Sequence, residues 1–196
     1  DSCENTLGSI TASNNSDYGI YLKSSSNNNL SNITALNNSN YGIYLSSSNN
    51  NILSNITASN NDYGILLSSS TNNTLRNTTL SDNHYNFGIL GSDLNHFIQN
   101  IDTSNTVNGK PIYYYVSESD KVIPSDAGFI GIINSRNITA RDLILTNNSH
   151  GILIVNSTDS AMSHEPNESP GFGLPALVAS FSILAYLTRK MRRDSE

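Results

Sequence analysis

The chain has 196 residues, of which 36% are hydrophobic, 8% aromatic and 13% charged, so it can bury a narrow core but not a broad globular interior. A formal net charge of −6 without a basic stripe argues against nucleic acid as a partner. The single cysteine, Cys3, excludes an internal disulfide framework, a Cys-based zinc site and a CxxC redox centre.

The sequence repeats itself about every 22 residues. Near copies begin at Tyr18, Tyr41 and Tyr63, and a looser fourth copy begins at Phe87. A period of this size is typical of a stack of equivalent coils, each of which buries its apolar residues against its neighbours. The first residues, up to Asn15, align with the end of a coil, so we expect a mature form, a fragment or a truncated gene product.

Within each copy the spacing of apolar residues predicts strands. Ile20 and Leu22 alternate with the outward Tyr21, which is the pattern of a half-buried strand. A run of Ser and Asn then predicts a corner, and a second strand is centred on Leu30. A third strand follows a bend, because Ile33 lies three residues after Leu30. The fold predicted is an all-β, right-handed parallel β-helix, and the scarcity of helix-forming residues argues against a helical solenoid.

The bend holds an asparagine in each copy, and an amide there can hydrogen-bond both its own turn and the equivalent residue one coil away. We therefore expect a structural asparagine ladder formed by Asn32, Asn55, Asn77 and Asn100.

The repeats are predicted to span residues 1–160, with an excursion loop at 106–129 where the pattern loosens, although residues 111–116 alternate like a strand. A polar linker is predicted at 161–169. Residues 172–187 are apolar and are followed at once by a cluster of Arg and Lys, which predicts a transmembrane segment with a basic stop on the cytoplasmic side. The alternative is a core helix or an amphipathic hairpin packed on the end of the solenoid.

The C-terminal segment, residues 170–196, resembles the PGF-CTERM sorting signal of archaeal surface proteins. The resemblance comprises the motif Pro170, Gly171 and Phe172, the apolar stretch and the basic cluster. It implies recognition by an archaeosortase, removal of the hydrophobic segment and attachment to a membrane lipid. The expected location is the outer face of the cell membrane, with the protein anchored at its C-terminus.

The repeats resemble the NosD-type right-handed β-helix, also described as a carbohydrate-binding and sugar-hydrolase-like repeat. The resemblance is carried by the recurring Asn-Asn-x-x-Gly-Ile-x-Leu pattern and by residues 105–115. The name is associated with copper delivery, but the four histidines, His84, His96, His150 and His164, share no motif, and we expect neither a metal nor a cofactor.

The residues favour a structural, adhesive or glycan-binding role over catalysis. The only recurring acidic position, the residue before Tyr-Gly, reads Asp17, Asn40, Asp62 and Asn86, and such a position is usually a turn former. A polysaccharide lyase or a glycosidase is the alternative, and copper handling is a third. Cell-wall or extracellular polysaccharide is accordingly a candidate partner.

Two sets of surface residues could contact or carry glycans. An outward aromatic strip could stack on sugar rings, or could simply cover the flank of the solenoid; its members are Tyr18, Tyr21, Tyr41, Tyr44 and Tyr63. Among the Asn-x-Ser/Thr sequons, the candidates for N-glycosylation are Asn37, Asn147 and Asn167, whereas the ladder asparagines are expected to be too enclosed.

Overall fold

The computed structural model describes residues 3–163, and in this range strands alternate with tight corners. The first nine strands are β1 Thr6–Ser13, β2 Tyr18–Lys23, β3 Asn29–Leu36, β4 Tyr41–Ser46, β5 Ile52–Ser59, β6 Tyr63–Ser68, β7 Thr74–Arg76, β8 Thr79–Ser81 and β9 Tyr85–Leu90. A short 3-10 helix, Leu94–Phe97, follows. The remaining strands are β10 Asn100–Ile101, β11 Thr106–Val107, β12 Lys110–Val116, β13 Ser119–Ile123, β14 Phe129–Ile133, β15 Arg136–Arg141, β16 Ile152–Val155 and β17 Ala161–Ser163.

Equivalent strands of successive coils pair in parallel and in register, which confirms the β-solenoid, with about seven turns of about 22 residues each. One sheet has the order β2-β4-β6-β9, and a second begins β1-β3-β5. Ile20 pairs with Ile43, and Ile43 with Ile65, so like residues line up along the solenoid axis. The inward aliphatic side chains of these strands form one continuous buried core.

The corners depend on residues that tolerate the left-handed backbone region. In the second coil, Ser47, Asn50, Asn55 and Asn60 have φ values of 50, 55, 54 and 54°. Asparagine and serine pay less than bulkier residues for this conformation because their short polar side chains bond locally. The bend predicted between Leu30 and Ile33 lies at Asn32, whose φ is 54° and which is skipped in the strand register.

Two rows of amides run through the solenoid, buried except at their first members, Asn5 and Asn15, and neither row was identified from the sequence. The first row consists of Asn5, Asn28, Asn51, Asn73 and Gln99. The second row consists of Asn15, Asn38, Asn61, Asn83 and Asn86.

In both rows the side-chain oxygen of one coil accepts hydrogen bonds from the coil before it, except that Asn86 accepts from Asn83, three residues earlier. Asn61 Oδ1, for example, accepts from the backbone N–H and the side-chain amide of Asn38, each at 2.9 Å. Its own Nδ2 donates to Ala35 O at 3.1 Å and to Asn83 Oδ1 at 2.9 Å. Corner backbone groups that the strands cannot pair are satisfied in this way.

The glycine of each Tyr-Gly-Ile motif makes room for the second row. A Cβ on Gly42 would lie 2.6 Å from the carbonyl oxygen of Gly64 and 2.9 Å from Asn61 Nδ2. Since real Cβ atoms do not approach backbone so closely, a side chain here would push adjacent coils apart.

The segment predicted to be an excursion loop, 106–129, is instead largely β-structure. A hairpin turn at Asn108 and Gly109, both with positive φ, pairs β11 antiparallel to β12, which matches the Asn-Gly preference of such turns. Strand β12 then pairs in parallel with β14, and β13 pairs with β15. The first three residues of the predicted linker form β17, which pairs with β15.

Strand β14, which lies between β12 and β16, is buried on both faces. Phe129 packs edge-on against Phe87 of the repeats, with ring centroids 5.0 Å apart. Ile130 and Ile132, on the opposite face of β14, belong to a second apolar cluster under β13 and β15. Tyr114 donates a hydrogen bond from its hydroxyl to Phe97 O at 2.5 Å. The irregular C-terminal coils therefore share one packed interior with the regular ones.

Among residues 3–163, no helix is long and apolar enough to cross a membrane. The predicted transmembrane segment 172–187 and the sorting motif Pro170, Gly171 and Phe172 lie outside the described residues.

Candidate glycan-binding surface

Six tyrosines stand side by side on the outer face of the β2-β4-β6-β9 sheet and are called the tyrosine array: Tyr18, Tyr21, Tyr41, Tyr44, Tyr63 and Tyr85. Tyr18 and Tyr21 lie 4.5 Å apart between ring centroids, and Tyr21 and Tyr44 lie 5.3 Å apart with planes within 2° of parallel. The five tyrosines predicted from the sequence are thus brought together, and the array is partly exposed, with Tyr21 at 43%.

The array has two columns because of a local break in the strand register. The pairing of β2 with β4 skips Gly19, so Tyr18 and Tyr21 lie on the same face although they are three residues apart. The first column runs through Tyr18, Tyr41, Tyr63 and Tyr85, and the second begins with Tyr21 and Tyr44. Parallel rings on a paired backbone are held at fixed spacings and lose little freedom when a ligand binds.

Tyr85 was missed because the fourth copy was aligned from Phe87. The structure pairs Tyr63 with Tyr85 and Ile65 with Phe87, so Phe87 is a core residue and the copy begins two residues earlier. The 22-residue interval from Tyr63 to Tyr85, which equals that from Tyr41 to Tyr63, was the available signal.

A row of polar side chains, called the polar row, borders the first column: Asp17, Asn40, Asp62 and His84. Asn40 Nδ2 donates to Asp17 Oδ1 at 2.6 Å, and His84 Nδ1 lies 2.8 Å from Asp62 Oδ1. The sequence interpretation placed Asn86 in this row, but Asn86 is fully buried and belongs to the second amide row, from which its Nδ2 donates to Asn108 Oδ1 at 3.3 Å. His84 takes its place and stacks on Tyr85 at 4.1 Å.

Desolvation raises the pKa of three phenols of the array, those of Tyr18, Tyr41 and Tyr63, so these three stay protonated at neutral pH. Desolvation raises the pKa of Tyr18, and the Asp17 carboxylate adds to the shift. Desolvation likewise raises the pKa of Tyr63, with further contributions from Tyr85 and Asp62. These three tyrosines consequently present neutral hydroxyl groups that can donate or accept hydrogen bonds beside their apolar rings.

A segment between β15 and β16, residues 143–150, lies across the end of this sheet and is called the strap. Asn86 N donates to Asn147 O at 2.5 Å and Ser149 N donates to Phe87 O at 3.1 Å, so the strap pairs with β9 as a fifth rung. On successive strands, the position that Tyr44 occupies in the second column is taken by Leu66 and then by Gly88. A Cβ on Gly88 would lie 2.9 Å from Ser149 Cβ, which leaves no room for a ring there.

The proposed asparagine ladder has a different character from the buried rows. Asn55 Nδ2 donates to Asn32 Oδ1 at 3.3 Å, but Asn32, Asn55 and Asn77 are exposed rather than enclosed. Asn100 is not a member, since it pairs with Thr74 at the start of another strand. The inserted 3-10 helix and the loop after it displace Asn100 from the bend.

Of the glycosylation candidates, Asn37 and Asn147 are exposed, and Asn167 lies outside the described residues. Asn147 also provides the carbonyl that anchors the strap to Asn86. Within residues 3–163, no group of three or more His, Cys, Asp or Glu side chains is placed to hold a metal ion.

A parallel β-solenoid whose outer face carries an ordered aromatic surface is the class of protein defined by these features. The family described as "right handed beta helix region" matches residues 1–123, more than half of the chain, and the protein belongs to that family. No curated protein and no solved structure matches the sequence significantly.

Proposed function

We propose that this protein is a non-catalytic β-helix module, displayed at the cell surface, that binds glycans through the tyrosine array. The observation that carries the proposal is the array itself, in which parallel rings are held on a rigid sheet beside hydrogen-bonding amides and carboxylates. Sugar rings combine apolar C–H faces with hydroxyl groups, and aromatic rings beside polar side chains complement both.

Display outside the cell and attachment at the C-terminus are parts of the same proposal. They are supported by the PGF-CTERM-like tail of the sequence, with Pro170, Gly171 and Phe172 as the sorting motif and an archaeosortase and a membrane lipid as partners. An adhesive or structural role at the envelope is consistent with a rigid, repetitive stack.

The test is binding of the full chain, kept in mild detergent, to a panel of neutral and acidic polysaccharides by affinity electrophoresis and calorimetry. The double variant Tyr21→Ser, Tyr44→Ser should weaken binding at least tenfold, because stacking of a ring is worth about 0.5–1.5 kcal/mol beyond its buried area. The matched control is Ile52→Ser, which removes a 46% exposed apolar side chain from another face of the same coil.

Equal loss in the tyrosine variant and the control, or retention of full affinity by the tyrosine variant, would refute the array as the binding surface. Release of shortened or unsaturated sugars would overturn the non-catalytic part and would favour the lyase or glycosidase alternative.

A further inference from the structure

The charges around the tyrosine array are unequally distributed. Two carboxylates, Asp17 and Asp62, lie at the first column, close enough to contribute to the raised pKa values of Tyr18 and Tyr63, respectively. On the four strands of this sheet the only Lys or Arg is Lys23, at the end of β2. Positions equivalent to Lys23 in the next strands are Ser46, Ser68 and Leu90.

The polar row is also arranged to bond neutral hydroxyl groups. Each carboxylate of the polar row already has one oxygen in contact with the neighbouring side chain. Asn40 Nδ2 donates to Asp17 Oδ1, and His84 Nδ1 contacts Asp62 Oδ1. Every carboxylate has further lone pairs that can accept from a ligand hydroxyl. A sugar hydroxyl can both donate to such an oxygen and accept from a phenol, whereas a uronate carboxylate can only accept.

From this arrangement we infer that the array selects uncharged glycans and rejects acidic polysaccharides, with Asp17 and Asp62 as the selecting residues. The inference rests on the proposed function and names the ligand class of the same surface. Acidic polysaccharides need cationic partners, and the sheet supplies carboxylates at the positions where such partners would have to lie.

The size of the discrimination follows from Coulomb's law. Two like charges about 4 Å apart in water repel enough to weaken binding about fivefold. An extended polyanion that meets both Asp17 and Asp62 should therefore bind about 25-fold more weakly than its uncharged counterpart. Because these charges are partly exposed, added salt should reduce the difference.

The experiment uses pairs of glycans that share a backbone and differ in charge. Suitable pairs are methyl-esterified and de-esterified homogalacturonan, and cello-oligosaccharides and their C6-oxidised forms, each titrated against the full chain with a chelator present. We expect the uncharged member of a bound pair to bind more tightly. The double variant Asp17→Asn, Asp62→Asn should bind the acidic member at least tenfold more tightly than the natural chain does, with little change for the neutral one.

Asparagine is a safe replacement because Asn40 already occupies the same row, and its oxygen preserves the contacts with Asn40 and His84. The control is Asp82→Asn, which removes an exposed charge at a corner where the preceding coil has Asn60. This control should leave the preference unchanged.

Tighter binding of the acidic members by the natural chain, or an unaltered preference in the double variant, would overturn the inference while leaving glycan binding intact. An equal shift in the Asp82→Asn control would assign the preference to overall charge and would equally overturn it. Failure of every pair to bind would instead remove the proposed function, and the inference with it.

Discussion

At the scale of single residues, the most informative distinction is between asparagines that face solvent and asparagines that face the interior. Asn61 is 5% exposed and bonds groups of both neighbouring coils, whereas Asn55 is exposed and makes one side-chain bond of 3.3 Å. Both belong to stretches that look alike in the sequence. Their contributions to stability should nevertheless differ by several-fold, because only the buried amide leaves unpaired backbone groups when it is removed.

Asn61→Ala should lower the free energy of unfolding by about 3 kcal/mol or more, since it removes the hydrogen bonds that Asn61 makes with Asn38 N–H and Ala35 C=O. The control Asn55→Gly should cost less than about 1 kcal/mol, because glycine suits its φ of 54°. Both values can be measured by chemical denaturation. Similar losses would show that the exposed amides contribute as much as the buried row.

The buried rows could not be identified from residue type alone. Asn27, Asn28 and Asn29 are consecutive, and only Asn28 is buried, because the positive φ of Asn27 turns the backbone and directs the next side chain inward. Predicting this requires the corner geometry, which depends on hydrogen bonds between coils. By contrast, the inward aliphatics and the outward Tyr21 follow from simple alternation, whereas Tyr18 joins the same face only through the register break at Gly19.

At the scale of elements, the strap determines where the tyrosine array ends. Its sequence, residues 143–150, is similar to the corner of the repeats, and Asn147 has the positive φ of Asn37 and Asn60, but the segment forms no regular strand. Its position depends on the absence of a side chain at Gly88 and on two backbone hydrogen bonds with β9. The first column of the array therefore ends at Tyr85, on the strand that pairs with the strap.

Gly88→Ala should detach the strap without unfolding the sheet, because the new Cβ would overlap Ser149 and overpacking of this kind costs about 1–3 kcal/mol. Hydrogen exchange should accelerate about tenfold or more in peptides that cover residues 143–150 and remain unchanged in β2 and β4. Gly151→Ala is the control, since its Cβ would meet only Leu145 at 3.8 Å. Unaltered exchange in the strap would contradict this account of its anchoring.

The excursion predicted at 106–129 shows why irregular elements resist sequence reasoning. The alternation in residues 111–116 was recognised as strand-like, but its partner, β14, lies beyond a further strand and pairs with it at an interval of 17 residues instead of 22. A change of period removes the signal on which the rest of the assignment depended. The Asn108-Gly109 hairpin is the local feature that indicates the change of direction.

At the scale of the whole molecule, the free energy of unfolding should depend on the protonation of tyrosines that are spread along the described structure. Burial raises the pKa of Tyr114 well above its usual range, and desolvation raises the pKa of Tyr41 and Tyr115 as well. In the unfolded chain these phenols titrate near pH 10. The folded state is therefore fully favoured below about pH 10 and loses stability as the pH rises toward the folded-state pKa values.

The thermal midpoint should accordingly be constant between about pH 7 and 9 and fall steeply above about pH 10. Tyr114→Phe should start from a lower midpoint, because the hydrogen bond to Phe97 O is lost, and should show a smaller alkaline decrease. Differential scanning calorimetry across this range measures both effects. A midpoint unaffected by pH up to 11 would show that the tyrosines are not coupled to folding.

The in-register pairing has a consequence for how such a chain can change in length. Tyr18 and Tyr41 are 23 residues apart, Tyr41 and Tyr63 are 22 apart, and both intervals are accommodated by the corners. A tandem duplication of one such unit would place a new rung between existing ones with every inter-coil contact reproduced. Each duplication would also insert another pair of tyrosine rings. Unequal recombination between the repeats could therefore lengthen the binding surface one coil at a time and increase its avidity for a polymeric ligand.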